Sequence, residues 1–194
     1  MISQNFIYLA ALLNLAGVSI YIAATLGGKT KPNRVSWFMW ALAPMVAFAA
    51  MVSQGVGLQS LMTFMSGFGP LLIFTASFFN PNGYWKLDRF DIICGALSLL
   101  GLILWMITRT GNIAILFSII ADGLAAAPTI VKAYQDPKSE NYTTFTLSAL
   151  AAGITLLTIS TWTFEYYAFP LYIFSICVLI TTVGRFRLYT LHIR

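Results

Sequence analysis

The stretch GKTKPNRVSWFMWAL, from Gly28 to Leu42, joins a short basic turn to the start of a long apolar run. Basic residues mixed with tryptophans are typical of nucleic-acid-binding surfaces and also of the edges of lipid bilayers. The flanking sequence decides between them, because neither Phe6–Leu26 nor Val35–Val52 contains a charged residue. Each run has about the 17–25 residues that a helix needs to cross a hydrocarbon core of about 30 Å. The stretch is therefore predicted to be the turn between two membrane-spanning helices.

The composition extends this interpretation to the whole chain. Of the 194 residues, 59% are hydrophobic and only 9% are charged, whereas soluble domains carry roughly 25% charged residues. This deficit excludes an ordinary soluble domain, because the chain lacks the polar side chains to cover a soluble surface. The net charge of +5 does not indicate nucleic-acid binding, because the basic residues are scattered between apolar runs, as in the loops of a polytopic membrane protein.

The apolar runs predict an all-α polytopic membrane protein with seven transmembrane helices. The predicted spans are Phe6–Leu26, Val35–Val52, Gly57–Phe79, Ile92–Ile107, Ile113–Val131, Thr143–Thr163 and Tyr166–Val183. The fourth span is short, and only a tight turn at Phe164–Glu165 separates the last two.

The distribution of lysine and arginine predicts the orientation of the chain. Cytoplasmic loops carry an excess of these residues, and with seven spans nearly all of the eleven lie on the side that holds the C-terminus. That side contains Lys29, Lys31, Arg34, Lys86, Arg89, Lys132, Lys138, Arg185, Arg187 and Arg194. The other side, with the N-terminus, contains Arg109. The chain is therefore predicted to lie in a cell (cytoplasmic) membrane with its N-terminus outside and its C-terminus cytoplasmic.

An internal repeat emerges when Lys31 is placed on Lys138, an offset of 107 residues (138 − 31). Few residues are identical, but spans one to three then overlay spans five to seven, and span four is an unpaired linker. Because three helices reverse the direction of the chain, the extra helix gives both triplets the same orientation, which is a known transporter architecture. The predicted units are a three-helix repeat at 1–83, a linker helix at 84–110, and a second repeat with a short cytoplasmic tail at 111–194.

The segment AAAPTIVKAYQDPKSENYTTFTLSALAAG, Ala125–Gly153, resembles the PQ-loop motif of the SWEET and PQ-loop (MtN3-like) superfamily of small membrane transporters. The motif has a proline near the end of a triplet's first helix, a basic turn with Lys-Ser, and a Ser/Thr-rich start of the next helix. These places are filled by Pro128, Lys132, Lys138, Ser139 and Thr143. The resemblance implies seven helices in a 3+1+3 arrangement and transport by alternating access. Spans three and seven lack the asparagine that the sugar transporters carry there.

Asp122 is the strongest candidate functional residue. It is the tenth of the nineteen residues of Ile113–Val131, hence near the midplane, and no basic residue inside another predicted span can pair with it. Intramembrane carboxylates cost roughly 2.5–3.5 kcal/mol on insertion scales, and they face a bundle interior or a water-filled cavity. Asp122 is therefore predicted to bind the substrate and to be able to carry a proton. The alternative is a carboxyl that only fixes helix packing.

Further polar and aromatic residues are predicted to line the same cavity. Asn14 lies mid-span in the first helix, and the offset of 107 places its neighbour Leu15 on Asp122. We therefore expect Asn14 and Asp122 to approach each other, with an ordinary interhelical hydrogen bond of Asn14 as the alternative. Trp37 and Trp40 share a helix face, and Trp40 is expected to offer a stacking surface. Trp37 either joins it or anchors the helix at the membrane interface.

Two serines and two prolines complete the predicted site. Ser66 and Ser175 lie at about the level of the missing asparagines, and each can donate and accept hydrogen bonds. A bond to the helix's own backbone is the alternative for either serine. Pro44 and Pro128 lie inside spans, where a proline removes a helical hydrogen bond and favours a kink. The resemblance implies that they are hinges, with static kinks as the alternative.

The predicted function is transport of a small polar solute that is sugar-like, nucleoside-like or amino-acid-like. Alternating access would occur around a midplane site, with proton coupling through Asp122 as one option. A non-transporting membrane receptor or assembly protein of the same fold is the alternative. An enzyme is not expected, because the only histidine is His192 and the spans contain no paired carboxylates or metal-ligand cluster. No metal, cofactor or nucleic acid is expected; the expected partners are the solute and the lipid bilayer, and a homo-oligomer is left open.

Overall fold

The computed structural model describes residues 2–80, 84–108 and 111–192, and within these residues all regular structure is helical. Seven α-helices follow one another, with one 3₁₀ turn at Pro137–Ser139. The helices are α1 (Phe6–Leu26), α2 (Arg34–Ser53), α3 (Ser60–Ala76), α4 (Arg89–Thr108), α5 (Gly111–Gln135), α6 (Tyr142–Leu157) and α7 (Phe164–His192). Each predicted span falls on one of these helices, so the all-helical class is confirmed.

The basic residue Lys132 lies inside a helix and not in a loop. The sequence predicts that the fifth helix ends at Val131, but α5 continues to Gln135. Lys132 is only 1% exposed. The prediction that it lies in a loop is therefore wrong, because the helix carries the side chain into the packed interior.

The junction between α6 and α7 also differs from the prediction. α6 ends well before Thr163, the predicted end of the sixth span. The hydroxyl of Thr158 donates to the carbonyl of Thr155 at 2.7 Å, and such local bonds compete with continuation of a helix. The predicted tight turn at Phe164–Glu165 is instead the first turn of α7, and residues 158–163 form the connection.

Four of the described helices are long and apolar enough to cross a membrane: α1, α2, α5 and the Phe164–Leu191 part of α7. α3 and α6 are apolar but have 17 and 16 residues, which corresponds to about 24–26 Å against a hydrocarbon core of about 30 Å. The outer surface exposes large apolar side chains such as Leu12 and Ile92. These features indicate a membrane-embedded protein, because a surface of this kind is unfavourable in water.

Six of the helices pack in a closed ring. α1 contacts α3, α3 contacts α2, α2 contacts α5, α5 contacts α7, α7 contacts α6, and α6 returns to α1. In this order α1 lies opposite α5, α2 opposite α6, and α3 opposite α7. α4 lies outside the ring, against α5 and α2. Each ring helix therefore presents one face to a common centre.

Three connections meet at one end of the bundle. The backbone N–H of Lys31 donates to the carbonyl of Ser139 at 2.9 Å, and the backbone N–H of Trp85 donates to the carbonyl of Pro32 at 3.0 Å. These two bonds join the α1–α2 connection to the α5–α6 and α3–α4 connections. These three loops, which contain Lys29, Lys31, Lys86 and Lys138, therefore lie together.

The C-terminal part of α7 reaches the same end. Arg187 donates from Nε to the carbonyl of Tyr134, near the end of α5, at 3.2 Å. We name this the basic end, because every lysine and arginine that the structure describes lies in these loops or in the adjacent helix turns. The opposite end carries the N-terminal residues and the α2–α3 and α6–α7 connections. Arg109 and Arg194 lie outside the described residues.

α2 and α6 begin in the same way. The side chain of Asn33 accepts hydrogen bonds from the backbone N–H groups of Val35 and Ser36 at 3.1 and 3.2 Å. Asn141 accepts one from the backbone N–H of Thr143 at 3.1 Å. Asparagine is a favoured N-cap because its side chain satisfies backbone donors that have no partner within the helix. The two caps differ by 108 in residue number (141 − 33).

Candidate functional site

A cavity lies at the centre of the ring, and residues from all six ring helices line it. The volume of the cavity is about 60 Å³. A cavity needs at least roughly 10–15 Å³ to hold a water, so this cavity can admit water or a small solute. Five of the six predicted substrate-binding residues lie in its wall: Asn14, Trp37, Trp40, Ser66 and Asp122.

Asp122 borders the cavity with one satisfied and one unsatisfied oxygen. Its Oδ2 accepts a hydrogen bond of 2.7 Å from the hydroxyl of Tyr172 on α7. Its Oδ1 is buried and has no hydrogen-bond partner among the described residues. The cavity wall, as far as the structure describes it, includes no lysine or arginine. The carboxyl therefore retains an acceptor that a bound molecule can use.

Asn14 has the same kind of half-satisfied side chain. Its Nδ2 donates to the hydroxyl oxygen of Ser148 on α6 at 3.2 Å, whereas its Oδ1 has no partner within the described part of the chain. The expected contact between Asn14 and Asp122 is not formed, because the amide is held by α6 and the carboxyl by α7. Both side chains nevertheless border the same cavity.

Aromatic rings line the cavity toward the basic end. The ring centroid of Trp37 lies 5.1 Å from that of Trp40, 6.3 Å from Phe145 and 4.7 Å from Tyr21. Trp40 donates from Nε1 to the backbone carbonyl of Asp122 at 3.2 Å. Nε1 of Trp37 is buried beside the hydroxyl of Tyr21 and makes no hydrogen bond of normal geometry with the described residues. The anchor alternative for Trp37 is wrong, because a side chain that is 3% exposed does not reach the membrane interface.

The two predicted serines have different positions. Ser66 lines the cavity, and its hydroxyl donates to the carbonyl of Met62 in its own helix at 3.0 Å. Ser175 is exposed on the outer surface and donates to the carbonyl of Leu171 at 2.8 Å. The structure therefore brings Ser66 to the cavity and corrects the placement of Ser175, because α7 turns that residue away from the ring centre.

The residues of the cavity wall recur at a nearly constant spacing. In the first two helices of each triplet the spacing is 108, as for Asn14 and Asp122 (122 − 14). In the third helix it is 107, as for Ser66 and Ile173 (173 − 66). The recurring pairs are Asn14 with Asp122, Trp37 with Phe145, Trp40 with Ser148, Ser66 with Ile173, Pro70 with Cys177, and Ile73 with Ile180.

This spacing corrects the repeat offset for the first two helices of each triplet. An offset of 107 pairs Asp122 with Leu15, but Leu15 is 40% exposed on the outer surface, and Asp122 is 2% exposed. The offset of 107 is defined by two loop residues, Lys31 and Lys138. The two loops differ in conformation, because the second contains a 3₁₀ turn. The spacing also explains why Ser175 lies outside the cavity, because the position that corresponds to Ser66 is Ile173, two residues earlier.

The predicted hinges Pro44 and Pro128 are buried inside α2 and α5, and both helices continue through them. A proline has no N–H, so the carbonyl four residues earlier receives no helical hydrogen bond from it. Those carbonyls belong to Trp40 and Leu124. Pro44 therefore loosens α2 at a residue of the cavity wall. Bending at either proline during a transport cycle stays a prediction.

A buried ion pair lies next to the aromatic rings, on the side of the basic end. Nζ of Lys132 and Oε1 of Glu140 are 2.5 Å apart, and their side chains are 1% and 0% exposed. The hydroxyl of Tyr21 donates to Oε2 of Glu140 at 2.6 Å. Lys132 also donates to the carbonyl of Lys31. The pair therefore ties α1 and α5 to two of the loops at the basic end.

Sequence reasoning missed this pair and the partner of Asp122. Lys132 carried a usable signal, because Asp122, Ala125, Ala126 and Thr129 form one helix face of small side chains, and Lys132 extends that face by three residues. Tyr172 carried none, because an apolar membrane helix does not reveal which of its faces meets the bundle. Its role became visible only through its hydrogen bond to Asp122.

Within the described residues, no group of three or more His, Cys, Asp and Glu could hold a metal ion. No protein-family model, curated protein or solved structure matches the chain. The resemblance to the SWEET and PQ-loop superfamily therefore stays a prediction from the residues.

Proposed function

We propose that the chain is a transporter of a small polar solute in the cytoplasmic membrane. In this proposal seven helices span the bilayer as two parallel triplets, residues 1–83 and 111–194, joined by a linker at 84–110. The ring supports this arrangement, because each helix of one triplet lies opposite its counterpart in the other. The asparagine caps of α2 and α6 support it too. Parallel repeats about an axis along the membrane normal are a known transporter design.

The orientation in the proposal follows from the basic end. Lysine and arginine are retained in cytoplasmic loops, and the described basic residues lie together at one end of the bundle. That end would be cytoplasmic and the N-terminus external. α3 and α6 are shorter than the other spans, and they would cross the bilayer where it is locally thinner.

The observation that carries the proposal is the central cavity with unsatisfied polar atoms on opposite sides. Oδ1 of Asn14 and Oδ1 of Asp122 are buried acceptors without a partner among the described residues. Each buried acceptor left unpaired costs about 1–3 kcal/mol. A solute that offers O–H or N–H groups would satisfy both atoms. A sugar-like, nucleoside-like or amino-acid-like molecule has such groups.

The transport cycle would open the cavity to one side at a time. Toward the basic end, Tyr21, Trp37 and Phe145 pack between the cavity and the pair of Lys132 and Glu140. Release into the cytoplasm would require these contacts to separate. Pro44 and Pro128 are the proposed flex points within α2 and α5.

Reconstitution into liposomes tests the proposal. Wild-type protein is expected to give saturable uptake of at least one member of a panel of labelled sugars, nucleosides and amino acids. Asp122→Asn is expected to lower this uptake, whereas Ser175→Ala, which lies outside the cavity, is expected to leave it unchanged. Uptake by Asp122→Asn with the pH dependence of wild type would end the option of proton coupling.

The same experiment addresses the receptor alternative. A peptide receptor would need several charged side chains in its cavity. The wall that the structure describes contains one acidic residue, Asp122, and no lysine or arginine. Saturable peptide binding, together with uptake of no member of the panel, would overturn the transporter proposal.

A further inference from the structure

The charge balance of the cavity is unusual. Asp122 is an acidic group in the wall, and the wall residues that the structure describes include no basic side chain. Lys132 is already paired with Glu140. The groups that contact Asp122 from neighbouring helices are neutral: the indole of Trp40 and the hydroxyl of Tyr172. Because an isolated buried carboxylate is very costly, such a group is normally paired with a cation or protonated.

The aromatic wall suits a cation. Trp37, Trp40 and Phe145 border the cavity together with Asp122. The face of a tryptophan is the strongest of the aromatic cation binders. Aromatic faces also stack on sugars, so the rings alone do not decide the substrate. The carboxyl without a basic partner favours a cation when Asp122 is ionised, because a neutral sugar would then leave its charge uncompensated.

The hydrogen-bonding atoms of the wall define the rest of the ligand. Oδ1 of Asn14 and Oδ1 of Asp122 can accept, and neither has a hydrogen-bond partner among the described residues. Nε1 of Trp37 can donate; it lies beside the hydroxyl of Tyr21 but makes no hydrogen bond of normal geometry there. An ammonium group supplies donors for the acceptors. A hydroxyl or carbonyl oxygen elsewhere in the ligand would accept from Trp37. A zwitterion fits less well, because its carboxylate would meet no cation in the described wall.

The cavity is small. Its volume of about 60 Å³ is less than half of the roughly 150 Å³ of an engineered cavity that binds benzene. A ligand smaller than benzene is therefore favoured, and a hexose would require the ring to expand.

We propose that the transported solute is a small organic ammonium ion that also carries a neutral hydrogen-bond acceptor, with its charge against Asp122 and its acceptor toward Trp37. This inference rests on the proposed function and narrows its substrate class. Two features carry it: the unpartnered oxygen of a buried carboxyl and an aromatic wall around a cavity of about 60 Å³.

The test compares four probes with the purified full-length chain in lipid nanodiscs by titration calorimetry. Ethanolamine has the ammonium and the hydroxyl, ethylene glycol lacks the charge, glycine adds a carboxylate, and tetramethylammonium lacks N–H donors. Ethanolamine is expected to bind at least about tenfold more tightly than each of the other three, as expected for charge-assisted hydrogen bonds. Binding of ethanolamine no tighter than that of ethylene glycol would overturn the inference.

Uptake into liposomes, measured in parallel, separates this inference from the proposed function. If ethanolamine does not bind but a sugar, nucleoside or amino acid accumulates, the inference is overturned and the transporter proposal stands. If ethanolamine binds with the expected selectivity and no solute accumulates, the inference about the site's ligand stands and the transporter proposal is overturned.

Variants locate the binding energy within the cavity. Asp122→Asn keeps the shape of the side chain and is expected to reduce the preference for ethanolamine over ethylene glycol at least about tenfold. An unchanged preference would overturn the inference. Ser175→Ala is the matched control and should bind as wild type.

A second variant keeps the inference testable if Asp122→Asn does not fold. Trp37→Phe removes the indole N–H and keeps an aromatic face. It is expected to lower the preference for ethanolamine over ethylamine, which lacks the hydroxyl, several-fold while ammonium binding persists. A preference equal to that of wild type would overturn the assigned position of the ligand's acceptor.

Discussion

Replacing Glu140 with glutamine removes the negative charge of a buried ion pair while keeping the size of the side chain. The carboxylate lies 2.5 Å from Nζ of Lys132, and the two side chains are 0% and 1% exposed. After the change, Lys132 keeps the carbonyl of Lys31 and the ring of Trp85, whose centroid is 5.4 Å away. It would have no negative partner. We therefore expect a loss of about 3–5 kcal/mol in the free energy of unfolding, the range for breaking one side of a buried pair.

Two further variants separate charge from packing. Lys132→Met combined with Glu140→Gln leaves no uncompensated charge, so most of the loss is expected to be recovered. Lys138→Met changes an exposed lysine of the same connection, and it should stay within about 0.5 kcal/mol of wild type. The measurement is reversible unfolding in mixed micelles, followed by tryptophan fluorescence.

Two outcomes would contradict the prediction for Glu140→Gln. If Glu140→Gln unfolds within about 0.5 kcal/mol of wild type, the pair is not a buried charged contact. If the double variant is as unstable as the single variant, the loss comes from packing or from the 2.6 Å hydrogen bond of Tyr21 and not from an uncompensated charge on Lys132.

The remaining predictions concern the cavity. Tyr172→Phe removes the hydroxyl that donates to Asp122 and should lower the free energy of unfolding by about 1.5–3 kcal/mol in the same assay; an unchanged value would mean that this bond is not formed. Ser148→Ala removes the acceptor of the Asn14 amide, so a loss of about 1–3 kcal/mol and weaker solute uptake are expected. Ser175→Ala should alter neither quantity, because its exposed hydroxyl bonds to its own helix; equal effects of the two serine variants would contradict their placement.

The helices could be predicted from the sequence because each predicted span is a local property of the chain. A charge-free run such as Phe6–Leu26 is long enough to satisfy its backbone hydrogen bonds as a helix in lipid, and α1 has those bounds. The predicted ends of the fifth and sixth helices were wrong. α6 ends before Thr158, whose hydroxyl donates to the carbonyl of Thr155. α5 continues through Lys132, whose charge is paired with Glu140.

The candidate site could be predicted only in part. Polar and aromatic side chains inside apolar runs stand out, and Asn14, Trp40 and Asp122 do line one cavity. Ser175 stood out for the same reason but lies on the outer surface. A repeat offset anchored in the loops was too short by one residue at Asp122. An error of one residue turns a helix position by about 100°, which is enough to exchange inside for outside.

The sequence by itself determined that the chain is helical, that it is membrane-embedded in composition, and that nearly all of its basic residues belong to one set of alternate connections. These properties depend on runs of neighbouring residues, which a linear reading captures. Only the tertiary structure decided which face of each helix meets the ring centre. A helix that is apolar on all sides has no amphipathic pattern to reveal its inner face. The pairing of Tyr172 with Asp122, and of Tyr21 with Glu140, exists because the ring brings distant segments together.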